Sequence, residues 1–261
     1  MIYQFFSHTD PGLARDNNED SVAFDVPTQM TVLADGMGGY NAGEVASGMA
    51  TAFIQSELSR WLSQVGKTAN AREVRRALEI CVDNANRSIF NAANSNPQYA
   101  GMGTTLVVGV CHDARLMLGH IGDSRCYRLR GQEFLQITKD HSLLQEQLDA
   151  GLITQEQAAV SLNKNLVTRA LGVEDNVLLE VNEHHVEAGD VYLMCSDGLS
   201  DMVDDAGIAR ILQTTDSMEQ KAQALIAAAN AAGGRDNITV LLMQAREGSH
   251  KRGIMSRLLR K

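Results

Sequence analysis

The sequence predicts an α+β fold in which two antiparallel β-sheets stack and helices pack outside them. Three observations lead there. Residues 105–137 hold four strand-length runs whose connectors include His112-Asp113-Ala114 and Arg130-Gly131-Gln132, short enough for hairpins. Two helical stretches precede these strands and two more come late in the chain. The 261 residues show no internal repeat, low-complexity stretch or linker, so the layers belong to one domain.

The elements follow in order. Strand-like runs alternate with turns over residues 5–35, with Ser21-Val22-Ala23-Phe24 and Val32-Leu33-Ala34 among them. A helix is expected over 42–62, rich in Ala, Val, Met and Ile on its inner side. The next is marked more sharply. Asn70 can cap it with Glu73 three positions on, and Val74, Leu78, Cys81, Val82, Ala85 and Ile89 share one face. Strands are expected at 105–111, 115–121, 125–130 and 133–137. Residues 142–168 turn to Gln, Glu, Ala and Asn, with weak helical pieces at 143–150 and 154–159, and read as an insertion between strands. Strands resume at 177–181 and 191–195, helices at 205–213 and 217–231, and a last strand at 238–244. The folded domain spans 1–246. A basic tail, 247–261, follows it; over residues 246–261 six cations face one acid, Glu247.

Acids at strand borders carry the chemistry. Val32-Leu33-Ala34 runs into Asp35-Gly36, and Tyr192-Leu193-Met194-Cys195-Ser196 runs into Asp197-Gly198. Asp-Gly alone is a common turn. Two such ends far apart in sequence suggest acids aimed at one point. Further candidates are Glu19 and Asp20 beside Arg15, Asp123 in Gly122-Asp123-Ser124-Arg125, and Asp236 just before the last strand. Carboxylates held together raise each other's pKa unless a cation neutralises them. Mg²⁺ and Mn²⁺ suit that position because they prefer oxygen ligands.

Composition narrows the classes. The net charge of -9 argues against a nucleic-acid binder. No apolar run is long enough for a membrane span, and the first residues lack a signal-peptide layout. Cys81, Cys111, Cys126 and Cys195 are scattered without CxxC spacing, as core residues of a cytoplasmic protein would be. A dinucleotide fingerprint starting at Gly36-Met37-Gly38 would need Gly at position 41, where Asn41 stands.

In order, the chain contains R-x-x-N-E-D (15–20), D-G-M-G-G (35–39), G-T-T (103–105), G-D-S-R (122–125), T-K-D-H-S (138–142), S-D-G-L-x-D (196–201) and G-x-D-N-I-T (234–239). This series resembles the metal-dependent serine/threonine protein phosphatases of the PPM, or PP2C-like, family, especially compact bacterial members. The resemblance covers residues 7–244. It implies a four-layer αββα sandwich with a binuclear Mn²⁺ or Mg²⁺ centre at one end, and a third, weaker ion.

Carried onto this chain, the resemblance makes Asp35 the bridge between two ions. Asp197 and Asp236 hold one ion, and the Gly36 carbonyl helps hold the other. Glu19 and Asp20 act largely through water, Asp123 and Asp201 serve the third ion, and Arg15 grips substrate phosphate. The implied chemistry is direct attack on phosphoserine or phosphothreonine by a metal-bridging hydroxide, without a phosphoenzyme. The 142–168 insertion matches the family's flap, and His141 is expected to order its start. Met37 stands where many members carry a proton-donating His. Phosphoproteins are the implied substrates, with a serine/threonine kinase and type VI secretion regulators as candidate partners of a monomeric enzyme. The competing reading is a phosphoprotein-binding pseudophosphatase, and the complete set of acids argues against it.

Overall fold

Alternation along the strands sorts side chains into three apolar layers. In β3 (Met30–Met37), Met30, Val32 and Ala34 face helices, while Leu33 faces the opposite sheet. In β11 (Ile238–Arg246), Ile238, Val240 and Leu242 face a different pair of helices, while Leu241, Met243 and Ala245 meet the first sheet. Strands buried on both faces read as near-continuous apolar runs, and 30–34 and 238–243 do so apart from one buried threonine each, Thr31 and Thr239.

The computed structural model describes residues 1–39, 42–159, 161 and 166–248. Its other strands are β1 (Ile2–Asp10), β2 (Asp20–Asp25), β4 (Gly103–Thr104), β5 (Leu106–His112), β6 (Arg115–Ile121), β7 (Arg125–Arg130), β8 (Glu133–Gln136), β9 (Glu180–His185) and β10 (Val191–Cys195). One sheet has the order β1-β11-β10-β7-β8. The other runs β2-β3-β5-β6-β9, with β4 attached to β3. All pairings are antiparallel.

The helices α1 (Ala42–Val65) and α2 (Ala71–Ser95) cover the second sheet. On α1, Ala42, Ala46, Ala50, Ile54, Leu58 and Leu62 recur every fourth residue and are all buried. Asn70 accepts hydrogen bonds from the Arg72 and Glu73 amides, and Glu73 reaches back to the Asn70 amide, so α2 starts with the capping box expected of it. Its predicted apolar face is the buried one.

Between the strands lie the short helices α3 (Leu143–Asp149) and α4 (Gln155–Ala159) and the one-turn α5 (Asp197–Ser200). The other sheet is covered by α6 (Asp205–Leu212) and α7 (Met218–Ala231). The architecture is the expected α+β sandwich of helices, sheet, sheet and helices.

Most boundaries fall within a residue of the sequence reading, α1 runs three residues further to Val65, and two strands differ more tellingly. The strand expected at 177–181 forms instead at Glu180–His185, pairing Glu180 with His120 and His185 with Arg115. Val177 and Leu179 do pack on the core, but ahead of that strand. The last strand also continues to Arg246, because β1 pairs with it as far as Ile2. Residues 249–261 of the basic tail lie outside the described residues.

Candidate active site

Register brings the first acids together. Asp20 on β2 stands opposite Asp35 on β3, at the end of the ladder. Beyond it the Gly36 amide donates to the Glu19 carbonyl at 3.1 Å. The backbone is compressed here. A Cβ on Gly36 would lie 2.1 Å from the Gly43 carbonyl oxygen, and one on Gly43 would strike Glu19 Oε2 at the same distance. Only glycine allows the start of α1 to seat against the strand end.

The other sheet delivers its acids to the same end. The Ser196 amide donates to Thr239 O at 3.1 Å, prolonging the β10–β11 pairing, and Asp197 then opens α5. A Cβ on Gly198 would be 2.0 Å from Asn237 O, so α5 presses on the approach to β11. Asp123 sits in the turn between β6 and β7, where the chain crosses from one sheet to the other.

A cleft of about 300 Å³ opens between the two sheet ends, lined by Arg15, Asn17, Glu19, Asp35, Gly36, Asp123, Asp197, Asp236 and Asn237, with Met37, Gly38, Thr105 and Val167. Seven of the nine sequence candidates therefore meet in one place. The remaining two lie close by. Asp20 is behind the cleft, where its Oδ2 accepts from Ser196 Oγ at 2.8 Å. Its Oδ1 is buried and has no hydrogen-bond partner. Asp201 lines an adjoining cavity of about 390 Å³ that shares Asp123 and Asp197 with the cleft.

Charge makes this cluster costly without a counter-ion. Asp35 and Asp197 are only half-buried, since they floor an open cleft, but protein crowds them. Burial first, and then neighbouring carboxylates, raise both pKa values well above the usual range. Burial likewise pushes Asp20 up to about 7, against hydrogen bonds that pull it down. Asp123 reaches about 6, through burial and then Asp140. The donors are oxygens throughout, and one buried carboxylate oxygen is unsatisfied. Both facts suit a hard divalent cation.

Arg15 stands at the mouth of the cleft with its Nη2 2.7 Å from Asp236 Oδ2. The pair is substantially exposed and leaves other guanidinium donors free. Arg15→Ala is expected to lower kcat/KM on a phosphopeptide about 10- to 100-fold, the size of a lost charged hydrogen bond or two. Manganese affinity measured by titration should change little. A parallel collapse in metal binding would reassign Arg15 to holding Asp236.

Sequence reasoning quoted Asn237, Thr105 and Ser196 inside motifs without giving them roles. Asn237 is a hub: Oδ1 accepts from the Glu19 amide at 2.8 Å, and Nδ2 donates to the Pro11 and Asn17 carbonyls. Thr105 Oγ1 accepts from the Asp35 amide at 3.0 Å, and the Thr105 amide donates to Asp35 O. Ser196 Oγ accepts from the Thr239 amide while donating to Asp20, so its hydroxyl is committed to the scaffold. For Asn237 and Ser196 the usable signal was a polar residue directly beside an acid within the same motif; the G-T-T motif of Thr105 holds no acid and gave none.

The root of the 142–168 segment is pinned as well. Arg125 makes a forked contact with Asp140, from Nη2 at 2.7 Å and Nε at 2.9 Å. The His141 amide donates to Gly122 O, and its Nδ1 accepts from the Gly122 amide at 3.2 Å. His120, His141 and Glu180 have ligand atoms within 4.8 Å of one another. However, the two rings are stacked, and His120 Nε2 is engaged with Lys139 O. With Nδ1 accepting, a neutral His141 carries its proton on Nε2 and donates it to Glu180. The group reads as a clamp that orders the start of the segment.

With this geometry, the likenesses to known proteins take on meaning. The family model for protein phosphatase 2C matches residues 8–238. The chain belongs to that family. The serine/threonine phosphatase Stp of Listeria innocua is 38% identical over 239 residues, covering 90% of this chain and 93% of the relative. A crystal structure of the PstP catalytic domain in complex with two manganese ions superposes with a TM-score of 0.81 at 37% identity, covering 94% of this chain and 99% of that one. PppA, described as a regulatory component of the type VI secretion system in Pseudomonas aeruginosa, gives 0.80 at 31% identity, covering 94% and 98%. The phosphatase brings the acids singled out in the sequence to adjoining ends of its two sheets, and it is a catalytic member rather than a binding relic. All four of its cysteines are free and buried, as expected of core residues. Among its described residues, no helix is long and apolar enough to cross a membrane.

Proposed function

We propose that this phosphatase removes phosphate from phosphoserine and phosphothreonine with two divalent cations held in the cleft, and a third, weaker one beside it. Asp35, Asp197, Asp236 and the Gly36 carbonyl would hold the first two directly; Glu19 from the cleft lining and Asp20 from behind it would act largely through water. Asp123 and Asp201 serve the third. When bound, such cations polarise phosphoryl oxygens and supply hydroxide near neutral pH. The observation that carries the reading is the convergence of carboxylates from both sheets on one cleft.

The chain's own groups do the rest. Arg15 orients the phosphoryl group with the guanidinium donors that Asp236 leaves free, fixing the phosphorus for in-line attack. Asn237 and Thr105 hold Glu19 and Asp35 by their backbones, so the charged side chains do not drift when substrate leaves. Met37 lines the cleft but has no proton to give. The proton needed by the departing alkoxide would come instead from a water molecule held at the corner made by Asp123 and Asp201.

Segment 142–168 acts as a flap hinged on the Asp140–His141 anchor, and residues 247–261 are dispensable for catalysis. The biological role we propose is reversal of a cytoplasmic serine/threonine kinase by a monomeric enzyme. The likeness to PppA supports regulators of type VI secretion among the substrates.

The reading is tested by acid quench. A ³²P-phosphoserine peptide should release inorganic phosphate with Mn²⁺ and not with excess EDTA, while the protein itself stays unlabelled at every time point. Radiolabel trapped on the protein, or full turnover in EDTA, would overturn direct metal-assisted hydrolysis.

A further inference from the structure

The cleft has an uneven lining. Arg15, Asn17, Asn237 and the carboxylates make most of it polar, and Met37 and Val167 are its large apolar side chains. β4 explains how that apolar part is built. Gly103 pairs with Met37, and Thr104 bridges to Leu171, which carries the chain on to Val173. A Cβ placed on Gly103 would lie 2.8 Å from Val173 Cγ2 and 3.6 Å from Met37 Cγ. The absent side chain at 103 therefore lets Val173 and Met37 close over bare backbone, beside the cleft that Met37 lines. Val173 is 55% exposed, so its side chain is available to a ligand that enters next to Met37.

No element of the fold needs Val173 at the surface, and Met37 contributes no proton. We infer that Met37, Val167 and Val173 form a specificity wall that packs against an apolar side chain next to the phosphorylated residue of the substrate. The occupant follows from continuity. Met37 and Val167 line the cleft that takes the phosphoryl group, so a residue adjoining the phosphoresidue is the part of a phosphoprotein within reach. Burying a leucine partly against three apolar side chains corresponds to a preference of about tenfold. An acidic neighbour would gain nothing there and would lose hydration. This inference rests on the proposed seat of the phosphoryl group at Arg15.

The test uses the full-length enzyme, Mn²⁺ and a phosphothreonine peptide with Leu, Ala or Asp immediately before or after the phosphoresidue. Leu at one of the two positions should raise kcat/KM about tenfold over Asp, with Ala between. In Val173→Lys that ratio should fall to near one or invert, because the ammonium repays the acidic neighbour while the apolar contact is lost. Since Val173 is exposed, this variant is expected to fold. Val167→Thr, nearly isosteric, provides a second reading and should reduce the ratio by a smaller factor. Equal turnover of all peptides by the unmodified enzyme, or an unchanged ratio in both variants, would overturn the wall. Failure to hydrolyse any peptide would overturn the phosphatase reading instead, so the two failures are distinguishable.

Discussion

Asp35→Asn and Asp197→Asn should each lower phosphopeptide turnover by about a thousandfold or more, the scale of several kcal/mol of lost transition-state stabilisation. Both side chains floor the cleft, one from each sheet, and Asn offers an oxygen without the charge. A second measurement separates this from simple unfolding. In the metal-free protein these carboxylates crowd one another, so neutralising one should raise the melting temperature. For a chain of this size the rise is roughly 2–4 °C per kcal/mol of relieved repulsion. Loss of activity together with a lower apo melting temperature would mean that the acids support the fold rather than the chemistry.

Chelation should expose the same repulsion as a pH dependence. Asp20, Asp35, Asp123 and Asp197 all have raised pKa values in the fold, with Asp20 at about 7 and Asp123 at about 6. Unfolded, such groups release their protons near pH 4. Between pH 4 and their folded pKa values the native state therefore holds more protons than the unfolded chain, and stability falls as pH rises.

Two histidines work in the opposite direction. Burial lowers the pKa values of His141 and His184, so they favour the fold increasingly as pH climbs toward 6.5, and that contribution is then complete. In EDTA the melting temperature should thus decline from about pH 5 to 7, the two histidines offsetting only part of the effect of the four acids. Saturating Mn²⁺ should abolish or reverse the decline, adding about 2.7 kcal/mol per site at a hundredfold excess over Kd. Thermal melts across pH with and without metal would decide, and an apo protein that gains stability from about pH 5 to 7 would contradict the crowded-carboxylate account.

Much of this site could be read from residues alone, for a physical reason. An apolar run that stops at Asp-Gly records both burial and its end, so Asp35 and Asp197 were visible without coordinates. The same holds for α2, where the Asn70–Glu73 box and the apolar stripe are local signals. Pairing is not local, and there the reading slipped. The strand at Glu180–His185 is polar by composition and exists because β6 offers it an edge, whereas the apolar Val177 and Leu179 nearby looked more strand-like. Asn237 was hidden differently. Its role depends on reaching Pro11, Asn17 and Glu19, more than 200 residues away in sequence, and no spacing rule announces that.

β11 lies between β1 and β10, and Asp236 stands just before its first residue. A chain emerging from the ribosome N-terminus first can assemble β2, β3, β5 and β6 beneath α1 and α2 early on. The other sheet has to wait, because β1 has no neighbour until β11 arrives. Such sequence-distant pairing is slow and leaves an apolar strand uncovered in the interim. The arrival of β11 is therefore one late event that joins β1 to β10 and brings Asp236 to the cleft. An interrupted translation product would lack the strand and the acid together, so a truncated chain would not persist as a partly active phosphatase with altered selectivity.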